Sequence, residues 1–330
     1  MRYEGIHRGL AVAAALVAAL GATAAAGQGW RPEKPVEIIV PTGAGGINDQ
    51  NARLIQKSFT DQKLPAPALT INKPGGNQSI AAVYLQQHPA DPHYMLYSTA
   101  TVFTNQLAGL TPMRYTEMTP LALLLVDYSV ITVAANSPMK SMRDLAARLK
   151  ADPESISFGL VSRGGPNHLA LAQGMKAAGV DFRKLKLVVF KTNAESMTAA
   201  VGGHIHAVVS SVSAALPQVQ AGNTRVLGVF APQRVSGNMA NVPTMREQGI
   251  PATGISNWRG ILAPKGITAP QIAYWEDALA KAVATDEWKS QLETNNLASR
   301  FLRSRDFAKY LEEEYNDTRA VMSDIGLIKQ

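Results

Sequence analysis

Two short stretches gather the polar groups that could meet a ligand. Thr42-Gly43-Ala44-Gly45-Gly46-Ile47-Asn48-Asp49 follows one apolar run, and Ser162-Arg163-Gly164-Gly165-Pro166-Asn167-His168 follows another. Glycines let a backbone approach a ligand closely, and free N–H groups at the start of the next helix favour an anion. The first stretch fails as a dinucleotide loop. Asn48 stands where the third glycine belongs, and about 20 positions on the chain has Leu69 rather than an acid. No Gly-Lys-Ser/Thr follows, so a Walker loop fails too. A tight strand-to-helix turn capped by Asn48 or Asp49 is the alternative reading.

Nucleophilic and metal chemistry find little support. Leu160 occupies the position where a nucleophile elbow needs glycine two residues before Ser162. His168 lies too close downstream to build the usual triad order. His204 and His206 are spaced for one face of a strand, but no third ligand is nearby and strand-edge histidines explain them as well. Nothing in the sequence brings Asp49 to Glu195. No catalytic constellation survives, no cofactor or metal site is expected, and the chain reads as a binding protein rather than an enzyme.

The chain has 330 residues, 46% hydrophobic and 17% charged, with a net charge of +7 and no cysteine. That composition is too apolar for disorder, and the length suggests two domains. The lack of cysteine removes thiolate catalysis, disulfides and a lipid anchor on cysteine. Arg2 and Arg8 precede a charge-free stretch, Gly9–Trp30, that contains Ala24-Ala25-Ala26, the pattern of a cleavable export signal over residues 1–26. A membrane anchor is the rival reading, weakened by the Ala, Gly and Thr of the second half. The basic residues are scattered, so nucleic acid is not an expected partner.

The elements that must position these groups alternate. Strands are predicted at 36–41, 69–72, 95–98, 128–134, 156–160, 187–190, 206–210, 226–230 and 258–263. Amphipathic helices are predicted at 49–60, 79–87, 141–150, 167–179, 270–285, 286–295 and 305–325. This order argues a largely parallel α/β arrangement. The polar segments 42–49, 98–104, 162–168, 191–195 and 210–213 each follow a strand's C-terminal end, the edge where open sheets bind ligands. The expected division is one lobe from residues 27–134 plus 252–330 and a second from 135–251. The chain then crosses twice between lobes, which predicts a hinge and a cleft.

An ordered series of short motifs spans nearly all of the chain after the signal. It runs through Trp30-Arg31-Pro32, Gly45-Gly46, Asp49, Arg53, Asn72-Lys73-Pro74-Gly75-Gly76 and His168-Leu169. It continues through Val201-Gly202-Gly203, Leu216-Pro217, Arg225-Val226-Leu227, Val242-Pro243-Thr244 and Trp258-Arg259-Gly260. In this the chain resembles the extracytoplasmic solute receptors of tripartite tricarboxylate transporters, the Bug family. The resemblance implies a periplasmic-binding-protein-like α/β fold, a Venus flytrap of two lobes closing on a small carboxylate. It implies delivery of a di-, tri- or aromatic carboxylate to a membrane permease by a monomeric periplasmic receptor.

Carried over residue by residue, the resemblance places the ligand among Thr42, Gly43, Ala44, Gly45, Gly46, Asn48 and Asp49 of the first loop. Ser98, Thr99 and Thr101 line the same lobe, and the second loop adds Ser162, Arg163, Gly164, Gly165, Asn167 and His168. Ser210 stands where many members carry Asp, so the cleft is expected to suit plain carboxylates better than amino acids. Asp49 remains as an acceptor for a ligand hydroxyl or amine. Arg163 either pairs with a carboxylate or lies exposed, and Phe103, Phe190 and Trp258 could supply an apolar wall. A sensory receptor for a membrane kinase and a secreted serine hydrolase using Ser162 are the alternatives.

Overall fold

The computed structural model describes residues 29–328, so the expected export signal lies outside the described residues. Two mixed sheets form the scaffold. The first contains β1 (Val36–Val40), β2 (Ala68–Asn72), β3 (Tyr94–Thr99), β4 (Met118–Asp127), β10 (Asn257–Pro264) and β11 (Ala298–Arg303), in the order β11-β4-β10-β3-β1-β2. The second contains β5 (Ser129–Ala134), β6 (Ser157–Leu160), β7 (Lys186–Val189), β8 (Ala207–Ser211) and β9 (Thr224–Phe230), in the order β7-β6-β8-β5-β9.

The strands are short apolar runs because both faces are covered. Val36, Ile38 and Val40 point into one cluster of the first lobe with Phe59, Trp275 and Trp288, while Ile39 points into the opposite cluster with Phe103, Trp258 and Phe307. In the second lobe Ile131 and Val133 face one cluster and Val130 the other. Helices α1 (Ile47–Asp61) and α2 (Ser79–Gln86) follow β1 and β2, and α3 (Thr101–Leu107) follows β3. In the second lobe come α4 (Met142–Ala151), α5 (Pro166–Ala177), α6 (Asn193–Val201) and α7 (Val212–Gln220).

The sheets are not largely parallel. β1 runs parallel to β2 and β3, and β6 to β7 and β8, but β10 is antiparallel to β3 and β4, and β5 to β8 and β9. β5 and β10 are the strands that arrive from the other lobe, without a helical crossover within their own sheet, and β11 is also antiparallel to β4. β4 and β5 are separated only by Tyr128, so the first crossing falls there and β5 joins the second sheet. The chain returns between Ala252, packed in the second-lobe cluster, and Asn257 at the start of β10.

Helices α8 (Ala269–Ala284), α9 (Asp286–Thr294) and α10 (Ser304–Asp324) close the chain. Trp275, Leu279 and Trp288 bury the first two in the first lobe. The last bridges both lobes: Phe307 and Leu311 pack in the first, while Val321 and Met322 meet Leu169 and Ala172 of α5.

Candidate functional site

The two glycine turns are copies of one device. The N-cap of α1 is Gly46, at φ −76° and ψ 167°, and that of α5 is Gly165, at φ −75° and ψ 166°. Each follows a left-handed glycine, Gly45 at φ 82° and Gly164 at φ 79°, a conformation that strains other residues. In each turn the third helical residue reaches back to that glycine, as the return arm of a capping box does. Asp49 Oδ2 accepts from the Gly45 N–H at 2.9 Å, and His168 Nδ1 accepts from the Gly164 N–H at 2.9 Å.

These contacts decide the electrostatics of both side chains. Burial disfavours the Asp49 carboxylate, but hydrogen bonds from Arg53, Gly45 and Asn72 outweigh it and hold its pKa below the ordinary value. Burial, with the nearby Arg163 charge, pushes His168 down to about 4. His168 is therefore neutral at pH 7, with Nδ1 as acceptor and its proton on Nε2.

One position earlier, both helices present asparagine into a cavity of about 420 Å³ between the lobes, within the usual range for small-molecule sites. Asn48 and Asn167 are each at the second position of their helix. Asn48 Oδ1 accepts from Arg259 Nε at 2.9 Å, and Asn167 Oδ1 accepts from Ser129 Oγ at 2.7 Å. Because an arginine N–H only donates, the Asn48 oxygen must face it. Among the described residues neither Nδ2 has a hydrogen-bond partner.

Arg259 enters the same cavity from β10 and is only 9% exposed. Its Nη1 donates to the carbonyl and side chain of Asn257, at 2.8 and 2.6 Å. Its Nη2 has no partner among the described residues. Arg259 Nη2, Asn48 Nδ2 and Asn167 Nδ2 are thus three uncommitted donors, drawn from both lobes, beside the N-termini of α1 and α5. That arrangement of donors suits an anion, and a carboxylate matches the planar guanidinium best.

On the neighbouring strand stands Asp127, the last residue of β4, 2% exposed and lining the same cavity. Its Oδ2 accepts from Ser213 Oγ at 2.6 Å and its Oδ1 from the Ser213 N–H at 3.4 Å. Burial raises its pKa, and the Arg259 charge and the serine hydrogen bonds pull against that rise. No ion pair joins it to Arg259 among the described residues.

Of the residues expected from sequence, Asn48, Thr99, Thr101 and Asn167 form cavity wall. Thr99 and Thr101 are tied to Gln78. Thr42, Gly43, Ala44, Gly45 and Gly46 shape the first turn, as Ser162, Gly164 and Gly165 shape the second, without belonging to that wall. Asp49 and His168 brace the turns from within. Arg163 is exposed, its Nη2 directed at the Leu187 carbonyl at 3.4 Å. Ser98 is buried beside Gln78 in a separate small pocket, and Ser210 is buried with its hydroxyl on the Ser211 carbonyl. Phe103 and Trp258 lie in the first-lobe core, rings 5.6 Å apart. His206 accepts from the Ser157 N–H.

Sequence reasoning missed Arg259 and Asp127 as site residues. The signal for Arg259 is a lone cation within an otherwise uncharged strand. The signal for Asp127 is an acid ending a long apolar run. The cleft therefore does hold a carboxylate, at a position other than Ser210.

A family model described as the tripartite tricarboxylate transporter family receptor matches residues 51–327. Protein BugT of Bordetella pertussis is 28% identical over 267 residues, covering 80% of each chain. A TctC solute binding protein from Polaromonas, solved without ligand, is 25% identical with a TM-score of 0.78, covering 89% of this chain and 99% of that one. A protein of R. palustris solved with adipate has a TM-score of 0.76 at 23% identity, covering 89% and 98%, and it shows likeness of fold.

Proposed function

We propose a function from one premise: the chain belongs to the tripartite tricarboxylate transporter receptor family. It is accordingly a solute-binding receptor with the two-lobed periplasmic-binding-protein fold, not an enzyme. Its solute is a small carboxylate, held between the lobes and passed to a membrane permease of the tripartite tricarboxylate type. The observation that carries this reading is the buried, half-committed Arg259 on an interlobe cavity that also presents a free amide from each glycine-turn helix. The relative solved with adipate supports the same ligand class. The uncharged Leu- and Ala-rich stretch after Arg8 supports export to the periplasm.

The mechanism follows from which lobe owns each donor. Arg259 and Asn48 belong to the first lobe and Asn167 to the second. A carboxylate satisfies all of them only when the lobes are close, so it stabilises the closed form by its differential affinity. A permease can then distinguish loaded from empty receptor by shape. Calorimetric titration with C4 to C6 dicarboxylates tests the reading in wild type, Arg259→Met and Asn167→Ala. The expected result is micromolar binding to wild type, weakened at least about 100-fold by Arg259→Met and about tenfold by Asn167→Ala. Unchanged affinity in both variants contradicts the assignment.

A further inference from the structure

The first-lobe sheet brings two opposite charges to the cavity, and only one of them suits a carboxylate. Arg259 pairs in register with Leu125, two residues before Asp127 on the neighbouring strand. Arg259 and Asp127 therefore stand diagonally on one face of the sheet, at the roughly 7–8 Å spacing of such neighbours. Both are almost fully buried, yet neither neutralises the other in an ion pair. Two buried charges left apart are costly unless each finds its own partner. Asn193 also lines the cavity, and its Oδ1 is buried without a hydrogen-bond partner, so the lining holds acceptors as well as the donors around Arg259.

Resting on the receptor reading above, we propose that Asp127 is a specificity-determining residue. It selects carboxylates that also carry a hydrogen-bond donor, a hydroxyl or an ammonium group, over plain alkyl dicarboxylates. The Ser213 hydroxyl and N–H, with the Ser211 hydroxyl, occupy part of the Asp127 carboxylate, which can accept about four hydrogen bonds and lines the cavity. A hydroxyl or ammonium near the ligand's carboxylate reaches Asp127 while the carboxylate stays on Arg259. A second carboxylate in that place meets a like charge instead.

Succinate, L-malate and L-aspartate share one carbon skeleton and differ only in that donor, so they are the probes. Each is titrated calorimetrically into wild type, Asp127→Asn and Asn193→Ala, after exchange through denaturant to strip bound solute and refolding checked by thermal melt. Asparagine keeps an acceptor for Ser213, so Asp127→Asn retains a contact to the start of α7, whose N-cap is Ser211, while removing the charge. The expected result is that malate or aspartate binds wild type about 10- to 100-fold tighter than succinate, the range of one hydrogen bond to a charged group. Which of the two binds tighter identifies the donor as hydroxyl or ammonium. Asp127→Asn should collapse that ratio to about threefold or less while succinate binding holds or improves, and Asn193→Ala should reduce it severalfold. A purely structural Asp127 would weaken all three acids equally, which overturns the proposal, as does equal or tighter binding of succinate by wild type. Failure of every carboxylate to bind folded wild type instead overturns the receptor reading itself.

Discussion

Glu314 sits where the return crossing between lobes meets the C-terminal helix, and its titration should be visible in stability. Its Oε2 accepts from the Ser256 N–H at 3.3 Å, while the Ser256 hydroxyl lies 2.6 Å from the Tyr310 hydroxyl one turn earlier on α10. Burial raises Glu314 from 4.5 to about 7; hydrogen bonds from Tyr310 and Ser256 and the Arg300 charge oppose the rise, and the Asp317 charge adds to it. A carboxyl whose folded pKa exceeds its unfolded value contributes stability that is complete below about 4.5 and lost as pH rises through about 7. The displacement corresponds to a ceiling of roughly 3 kcal/mol, reduced by the partial exposure of the side chain.

Glu314→Gln keeps the shape and an acceptor for Ser256 but cannot ionise. Urea unfolding of both proteins between pH 4.5 and 8 should show near-equal stability at the acid end. The variant should become the more stable by about 1–3 kcal/mol at pH 8. His168, with its pKa lowered to about 4, has the opposite slope: its contribution is complete above about 6.5 and lost as pH falls. That slope is common to both proteins and cancels in their difference. A difference that is flat across the window, or that grows toward acid, refutes the reasoning.

Three further outcomes follow from geometry. Asp49→Ala removes the brace on Gly45, Arg53 and Asn72 and should cost about 1–3 kcal/mol of stability in urea; unchanged stability with altered ligand choice would return Asp49 to the ligand. In Gly260→Ala the new methyl would stand 2.5 Å from Phe307 Cζ and 2.8 Å from the Ala122 carbonyl, so a loss of about 1–3 kcal/mol or more is expected, and an unchanged thermal melt contradicts it. Asn296 joins the lobes through the Ser236 carbonyl and the Asn238 amide. Asn296→Ala should expand the ligand-free protein in small-angle scattering, and an unchanged radius of gyration would show that this contact does not hold the lobes together.

Much of the fold was legible because β1, β3, β6, β8 and β9 are apolar runs cut off by glycine or polar turns. β4 was not, since residues 118–127 carry neither alternation nor a flanking turn, and Asp127 was lost with it. The helices beginning at Thr101, Asn193 and Val212 resemble loops in sequence because small and hydroxyl-bearing residues, the types that cap helices, crowd their starts. At the site, the paired Gly-Gly-x-Asn-Asp and Gly-Gly-x-Asn-His turns are present in the sequence at 45–49 and 164–168. Residue types alone suggest Asp49 and His168 as the ligand groups. Only the backbone geometry turns those side chains inward and leaves the asparagines facing the cavity. Arg259 reads from sequence as part of a strand motif, and its role depends on the partner that Nη2 lacks.

The central claim is that an interlobe carboxylate stabilises this protein. It is tested most directly by thermal melts of stripped, refolded protein against mono-, di- and tricarboxylates, aromatic acids, amino acids, sugars and divalent cations. A solute at 100 times its dissociation constant adds about 2.7 kcal/mol, a rise of about 4 °C for a chain of this size. The account predicts such a rise with carboxylates alone, amino acids counting among them, and its disappearance in Arg259→Met. A rise with sugars or cations, or none with any carboxylate, would contradict it.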